Sequence, residues 1–305
     1  MHPAPSIIVF TVASGLGYGL AFHLSLGLLE PALASTRIAW FIALALVSIG
    51  LLSSTLHLGN PQRAWRALTQ WRSSWLSREG VMAVAAFVPL GINAALSIFA
   101  GSYSALLGVV GAAMCVLTVF CTAMIYGSLR TVQSWNTRLT PACFIMFALG
   151  GGGLLATVFA SVGSGEARGP ILAATIGLLL GVTAKAIWTN RMMTTEPLST
   201  PESATGLGMI GRVTLLERPH AMGNYLTREM VYKVGRKHAA KVRLLAFALA
   251  AGVPLLCLLI MAFSTPGALL PLAVVATGSH LVGMLAERWL FFAEARHAVA
   301  NYYGA

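Results

Sequence analysis

The sequence predicts an all-α membrane protein, a single polytopic domain over residues 1–305 with eight transmembrane helices and both termini cytoplasmic. Three observations carry this. The chain is 57% hydrophobic and only 10% charged, against roughly 25% charged in an ordinary soluble domain. Its apolar residues gather in runs long enough to cross a bilayer, which takes about 20 residues. Its basic residues fall almost entirely between alternate runs, which sets orientation.

The eight spans are 6–29, 37–56, 80–100, 103–127, 141–162, 169–189, 242–263 and 267–290. The first could be mistaken for a secretory signal, because Ala32-Leu33-Ala34 resembles a cleavage site. No Lys or Arg precedes it and its apolar run is too long, so it is expected to be retained. No internal repeat is evident. In the fifth span, Gly150 to Gly153 form a run of four glycines that favours close helix approach.

The loops give the orientation. Loop 2–3 holds Arg63, Arg66, Arg72 and Arg78, and loop 4–5 holds Arg130 and Arg138. Loop 6–7, a long basic stretch over 190–241, holds Arg191, Arg212, Arg218, Arg228, Lys233, Arg236, Lys237 and Lys241. The opposite loops carry only Glu30, Glu166 and Arg168. The positive-inside rule therefore puts the even loops in the cytoplasm. Aspartate is absent and the net charge is +11. With the bases between spans, that excess points to anionic lipid and a docking partner, not to nucleic acid.

Cys115, Cys121, Cys143 and Cys257 all lie in apolar spans without a C-x-x-C pair. Iron–sulfur and zinc sites need thiolates at motif spacing, so neither is predicted in this chain. No carboxylate falls near the middle of a span, which counts against proton-coupled transport. Lys185 sits near a cytoplasmic helix end, where it is expected to snorkel to water. His23 and His280 read as the only deep ionisable residues. They could ligate a b-type haem, but they sit at different depths, and two histidines bonded to neighbouring helices is the preferred reading.

Loop 2–3 concentrates the polar chemistry. The segment 57–80, HLGNPQRAWRALTQWRSSWLSREG, carries four arginines, three tryptophans, a histidine and a glutamate. Asn60-Pro61 reads as a helix start. Trp65, Leu68 and Trp75 recur near helical spacing, which predicts a short interfacial helix; an ordinary aromatic belt with snorkelling arginines fits the same residues. His57 closes the second span and Glu79 opens the third, on one side of the membrane. A histidine titrating near neutrality beside a carboxylate can exchange protons there, as quinone chemistry requires. A structural histidine at a capped helix end is the alternative.

The stretch His57-Leu58-Gly59-Asn60-Pro61-Gln62-Arg63-Ala64, followed by Leu76-Ser77-Arg78-Glu79, resembles the membrane anchor subunits of DMSO-reductase-type molybdenum enzymes. The similarity continues through Tyr126, Trp135 and Thr140-Pro141, and is faint near Arg288. The resemblance implies an eight-helix anchor that exchanges electrons with ubiquinone or menaquinone. It implies a four-cluster ferredoxin-like iron–sulfur subunit as docking partner and a molybdopterin catalytic subunit beyond it. It places His57 in the proposed quinol site, with Glu79 close by and Gly59, Arg63, Arg78 and Tyr126 as further candidates. Arg66, Arg72, Arg228, Lys233, Arg236 and Lys237 are expected to face the partner. The cytoplasmic motif face and the loop ending REMVYKVGRKHAAKVR are similar to the branch that includes quinone-reducing sulfite dehydrogenases. An anchor of an S- or N-oxide reductase and, in another class, a transporter are the alternatives. The expected location is the bacterial inner membrane, with the soluble partners on the cytoplasmic side.

Overall fold

The computed structural model describes residues 4–55, 60–163, 166–217, 238–298 and 301. Eight helices among them are long and apolar enough to cross a membrane: α1 Pro5–Ser25, α2 Ala34–Thr55, α3 Trp75–Ala100, α4 Ala105–Gly127, α5 Leu139–Val162, α6 Arg168–Thr194, α7 Ala239–Met261 and α8 Pro266–Ala293. No strand occurs among the described residues, and one isolated bridge joins Val132 to His297. In lipid the backbone must satisfy its own hydrogen bonds, which is why apolar runs of this length become helices.

Several boundaries differ from those the sequence predicts. α3 begins at Trp75, so Glu79 lies inside the helix instead of opening it. α6 runs on to Thr194 and α8 to Ala293. The expected α-helix after Asn60 is a 3-10 segment, Pro61–Gln70, and the Asn60 side chain makes no capping bond. Trp75 belongs to the next helix, not to this one.

The packing falls into two halves with the same pattern of neighbours. In the first, α1 packs on α2 and α4, and α3 packs on α4. In the second, α5 packs on α6 and α8, and α7 packs on α8. The halves meet chiefly through α1 and α5, with α1 also touching α8 and α4 touching α5. α1 is the most enclosed of the eight helices.

Helix association in lipid relies on close van der Waals fit, because lipid tails are as apolar as leucine. The glycine run supplies that fit. A Cβ at Gly19 would fall 1.8 Å from the Ala148 carbonyl oxygen, and one at Gly152 would fall 2.0 Å from the carbonyl carbon of Gly19. α1 and α5 thus touch backbone to backbone. Gly150 and Gly153 serve the α5–α6 contact in the same way.

Both α3 and α7 contain a π-turn, Leu96–Ala100 and Ala248–Gly252. The first ends at Gly101 with φ +59, a left-handed cap that suits glycine. The second frees carbonyls within the bundle. Ser279 Oγ donates to the Leu249 carbonyl at 2.9 Å, and His280 Nδ1 lies 2.6 Å from the Ala250 carbonyl.

Candidate functional site

The loop 2–3 segment lies over the start of α3. Leu68 packs on Gly80, where an added Cβ would meet Leu68 Cδ2 at 2.7 Å. Arg78 clamps the connection: its Nε donates to the Trp71 carbonyl at 2.9 Å and its Nη2 to the Arg72 carbonyl at 2.7 Å. Its guanidinium also sits 4.2 Å from the Trp75 ring centroid. Arg63, Arg66 and Arg72 are exposed, as are Trp65 and Trp71. The segment thus presents bases and aromatic surface together.

Glu79 lies about 6 Å below the head of α3, one helical turn in. It is buried, and its carboxyl contacts the Thr122 hydroxyl of α4. That hydroxyl also lies 3.1 Å from the Thr118 carbonyl. A hydroxyl has one proton to donate. If Thr122 gives it to Thr118, its lone pair accepts from a protonated Glu79; if Glu79 is ionised, Thr122 donates to it instead. The pair can therefore switch with one proton and little movement. Tyr18 and Tyr126 lie within electrostatic reach of Glu79.

Tyr126 sits in an aromatic cluster at the same end of the bundle. Its ring centroid lies 5.3 Å from Trp135, 5.9 Å from Phe144, 5.6 Å from Phe291 and 5.2 Å from Phe292. Trp135 Nε1 donates to the Phe291 carbonyl at 2.9 Å, tying loop 4–5 to α8.

Beneath this cluster lies an ion network that the sequence does not announce. Lys185 does not snorkel to water; it is buried, with Nζ 2.6 Å from Glu287 Oε1. Arg288 Nε lies 2.8 Å from Glu287 Oε2. Aromatic faces cover both cations: Lys185 is 3.7 Å from the Trp188 centroid and Arg288 3.7 Å from that of Phe144. His23 and His280 are therefore not the only deep ionisable groups. Lys185 and Glu287 are 102 positions apart, so no local pattern marks the pair. A polar Glu-Arg step in the last turns of an apolar helix is the one signal the sequence holds.

His23 and His280 each have a backbone partner, His23 Nε2 lying 2.9 Å from the Leu149 carbonyl and His280 Nδ1 2.6 Å from that of Ala250. Among the described residues no group of three or more His, Cys, Asp or Glu side chains could hold a metal ion.

On the same side, a cavity of about 460 Å³ opens between loop 4–5, the end of α6 and the C-terminal residues. Arg130, Arg191 and Arg296 line it. Its walls are knitted together: Gln133 Nε2 donates to the Glu196 carbonyl at 2.8 Å, and Asn301 Nδ2 to the Ser199 carbonyl at 3.0 Å. Glu294, also in the wall, is paired with Arg243 at 2.5 Å.

His57, Gly59, Arg228, Lys233, Arg236 and Lys237 lie outside the described residues. Of the predicted site residues, the structure gathers Glu79, Arg78 and Tyr126 at one end of the bundle, and adds Thr122, Lys185, Glu287 and Arg288. His280 lies deeper, about 20 Å from the end of α8.

Comparison with known proteins gives the same direction. A family model described as DMSO reductase anchor subunit (DmsC) matches residues 1–293. The sequence is 33% identical to the C-subunit of the sulfite dehydrogenase of Allochromatium vinosum, with 99% of both proteins aligned. It is 30% identical to the C-subunit of the anaerobic dimethyl sulfoxide reductase of Escherichia coli K12, over 51% of this protein and 57% of that one. The counterpart from Haemophilus influenzae matches at 30% over 37% of this protein and 41% of its own length. A family match across nearly the whole sequence, on a scaffold of eight membrane helices, places the protein: it belongs to the family of DMSO reductase anchor subunits.

Proposed function

We propose that this chain is the quinone-reactive anchor of a three-subunit molybdopterin oxidoreductase of the bacterial inner membrane. In this reading the catalytic subunit oxidises sulfite to sulfate. Electrons pass through a four-cluster ferredoxin-like iron–sulfur subunit to ubiquinone or menaquinone, at the membrane edge beside loop 2–3. The soluble subunits dock on the cytoplasmic side, consistent with the bases of the even loops.

One observation carries the reading. Glu79 is a buried carboxyl with a hydroxyl partner, one turn below a basic, aromatic segment at the membrane edge. That donor set fits a quinone head group, which needs proton exchange and hydrogen bonding in an apolar setting. A bound quinone supplies a carrier of two electrons and two protons. This chain's residues do the rest: Glu79 holds or releases a proton, Thr122 accommodates both states, and Arg78 fixes the overlying loop. In this reading His57 and Arg63 are the further polar residues of the site, and Gly59 belongs to the same sequence motif.

The sulfite assignment leans on the Allochromatium relative, aligned over nearly the full length of both proteins. The partial matches to two dimethyl sulfoxide reductase subunits favour a second reading, an anchor that oxidises quinol for an S- or N-oxide reductase. Assaying the purified complex with sulfite and quinone, then with quinol and dimethyl sulfoxide, separates the two.

The site itself is tested by His57→Leu. Quinone turnover should stop, whereas reduction of a soluble dye by the partner subunits should continue. Glu79→Gln should give a milder loss, lowering quinone turnover by about 10- to 100-fold, toward the low end of or below the 10²–10⁴-fold typical of losing an acid–base group. Full quinone activity in His57→Leu would remove the site assignment.

A further inference from the structure

The cavity of about 460 Å³ is built from three separate segments, and each brings one arginine. Arg130 comes from loop 4–5, Arg191 from the last turn of α6 and Arg296 from the residues just past α8. The segments are stitched together. The Ala298 amide donates to the Thr131 carbonyl at 2.9 Å, and Val132 bridges to His297. The Gln133 side chain accepts from the Leu198 amide at 3.0 Å while donating to the Glu196 carbonyl. Arg191 Nη1 donates to the Thr137 hydroxyl at 3.1 Å, which ties the end of α6 to loop 4–5. That bond uses one of the five N–H groups of the guanidinium.

The walls do not neutralise these bases. Among the described residues no carboxylate pairs with Arg130, Arg191 or Arg296, and Glu294, the carboxylate in the lining, is taken by Arg243. The cavity thus keeps a positive charge, at a volume within the roughly 300–1,000 Å³ of small-ligand sites. Such a cavity suits an anion.

The outer face of α6 indicates which anion. Ile176, Leu180, Ile187 and Arg191 are spaced by four, seven and four residues, which sets them on one side of the helix. The three apolar members are 48%, 50% and 53% exposed. Their stripe runs about 22 Å from Arg191, enough to accompany an acyl chain through one leaflet of a roughly 30 Å hydrocarbon core. Met193 and Leu198, exposed in the cavity lining, add apolar surface at the helix end. A phosphate carried on acyl chains uses both the bases and the stripe. A dissolved anion or an acidic peptide uses the bases alone.

We propose that this cavity binds an anionic glycerophospholipid, its head-group phosphate among Arg130, Arg191 and Arg296 and an acyl chain along Ile187, Leu180 and Ile176. The charge of the trio sets the preference, and no one phosphate need touch all three. The attraction of anionic lipid for a surface Lys or Arg is about fivefold in affinity per base. A lipid held here bridges the three segments, and its binding does not depend on the quinone reading.

Native mass spectrometry of the whole complex tests the site, with phosphatidylglycerol or phosphatidylcholine of identical chains added to the detergent. The parent should bind the first phosphatidylglycerol about 100-fold more tightly than phosphatidylcholine, fivefold for each of three bases. Arg191→Gln with Arg296→Gln should weaken phosphatidylglycerol binding about 25-fold. Arg191→Gln alone should weaken it about fivefold and keeps the result readable where the double variant fails to assemble. Arg66→Gln with Arg72→Gln removes the same charge from the first half and should leave binding unchanged. Inorganic phosphate in large excess should not displace the lipid. Equal affinity for the two lipids in the parent, an equal loss in the first-half variant, or displacement by inorganic phosphate overturns the proposal. Release of the soluble subunits by Arg191→Gln with Arg296→Gln, with phosphatidylglycerol binding intact, also overturns it and gives the cavity to an acidic segment of the partner.

Discussion

The two halves of the bundle solve one packing problem with opposite polar chemistry. Each has a central helix, α1 or α5, packed on the next helix and on the last of its half. Near the loop 2–3 and 4–5 face, the first half buries a carboxyl whose hydrogen-bond partner is a neutral hydroxyl, Glu79 with Thr122. The second half buries a carboxylate held by two cations, Glu287 between Lys185 and Arg288. A carboxyl with a hydroxyl partner can carry or lose a proton at modest cost. A carboxylate held by two cations is fixed in charge. The scaffold thus separates a switching half from a clamped half, and proton chemistry is expected where the clamp is missing.

The largest effect should come from breaking the clamp. Glu287→Gln leaves Lys185 and Arg288 buried without their counter-charge. Removing one partner of a buried ion pair typically costs about 3–5 kcal/mol, enough to empty the membrane of folded protein. Glu79→Gln keeps a hydrogen bond to Thr122 and should cost less than about 1 kcal/mol. Membrane abundance and thermal unfolding in detergent should therefore fall sharply for the first and hardly for the second. Equal losses would erase the distinction between the halves.

These two carboxyls also show what a sequence can carry. Eight spans, the alternate basic loops and the glycine run are local properties, and each is readable from its own window. Glu79 stands out because it sits in a dense polar segment next to a span. Glu287 does not, because its meaning depends on Lys185, 102 positions away on another helix. The recurring packing pattern is equally hidden. Lipid-facing apolar residues are interchangeable, so halves that pack alike need share little sequence. The π-turns leave no periodic signature, yet one of them orients His280. Asn60-Pro61 promises an α-helix, but the backbone forms the tighter 3-10 turn there and leaves Trp65 and Trp71 exposed.

A middle-sized effect should separate how each half holds its loop on this face. In the first half Arg78 makes two bonds to the carbonyls of Trp71 and Arg72. In the second, Arg243 at the start of α7 pairs with Glu294 just past α8. Arg78→Ala should free residues 71–74 at a cost of about 1 kcal/mol, given the exposure of those bonds. Limited proteolysis should then cut loop 2–3 faster while leaving loop 4–5 protected. Faster cutting in loop 4–5 instead would mean that Arg78 supports the whole face and not one half.

The smallest effects should come from single exposed bases, and they sharpen the comparison by asking which half meets the partner. Arg66 and Arg72 sit beside exposed tryptophans on the first half, whereas Arg130, Arg191 and Arg296 line the cavity of the second. An exposed ion pair is worth about 0–1 kcal/mol. Arg66→Glu alone should therefore weaken association with the soluble subunits by no more than about fivefold, measured by co-purification at low salt. Arg63, Arg66 and Arg72 reversed together should release them, because like charges then face the partner across one surface. Reversing Arg130, Arg191 and Arg296 is the matched experiment. If the electron-transfer partner sits over Glu79, the first triple variant disrupts binding more than the second, and added salt narrows the gap as the charges are screened. Stronger disruption by the second triple would put the partner over the clamped half, away from the carboxyl it is proposed to serve.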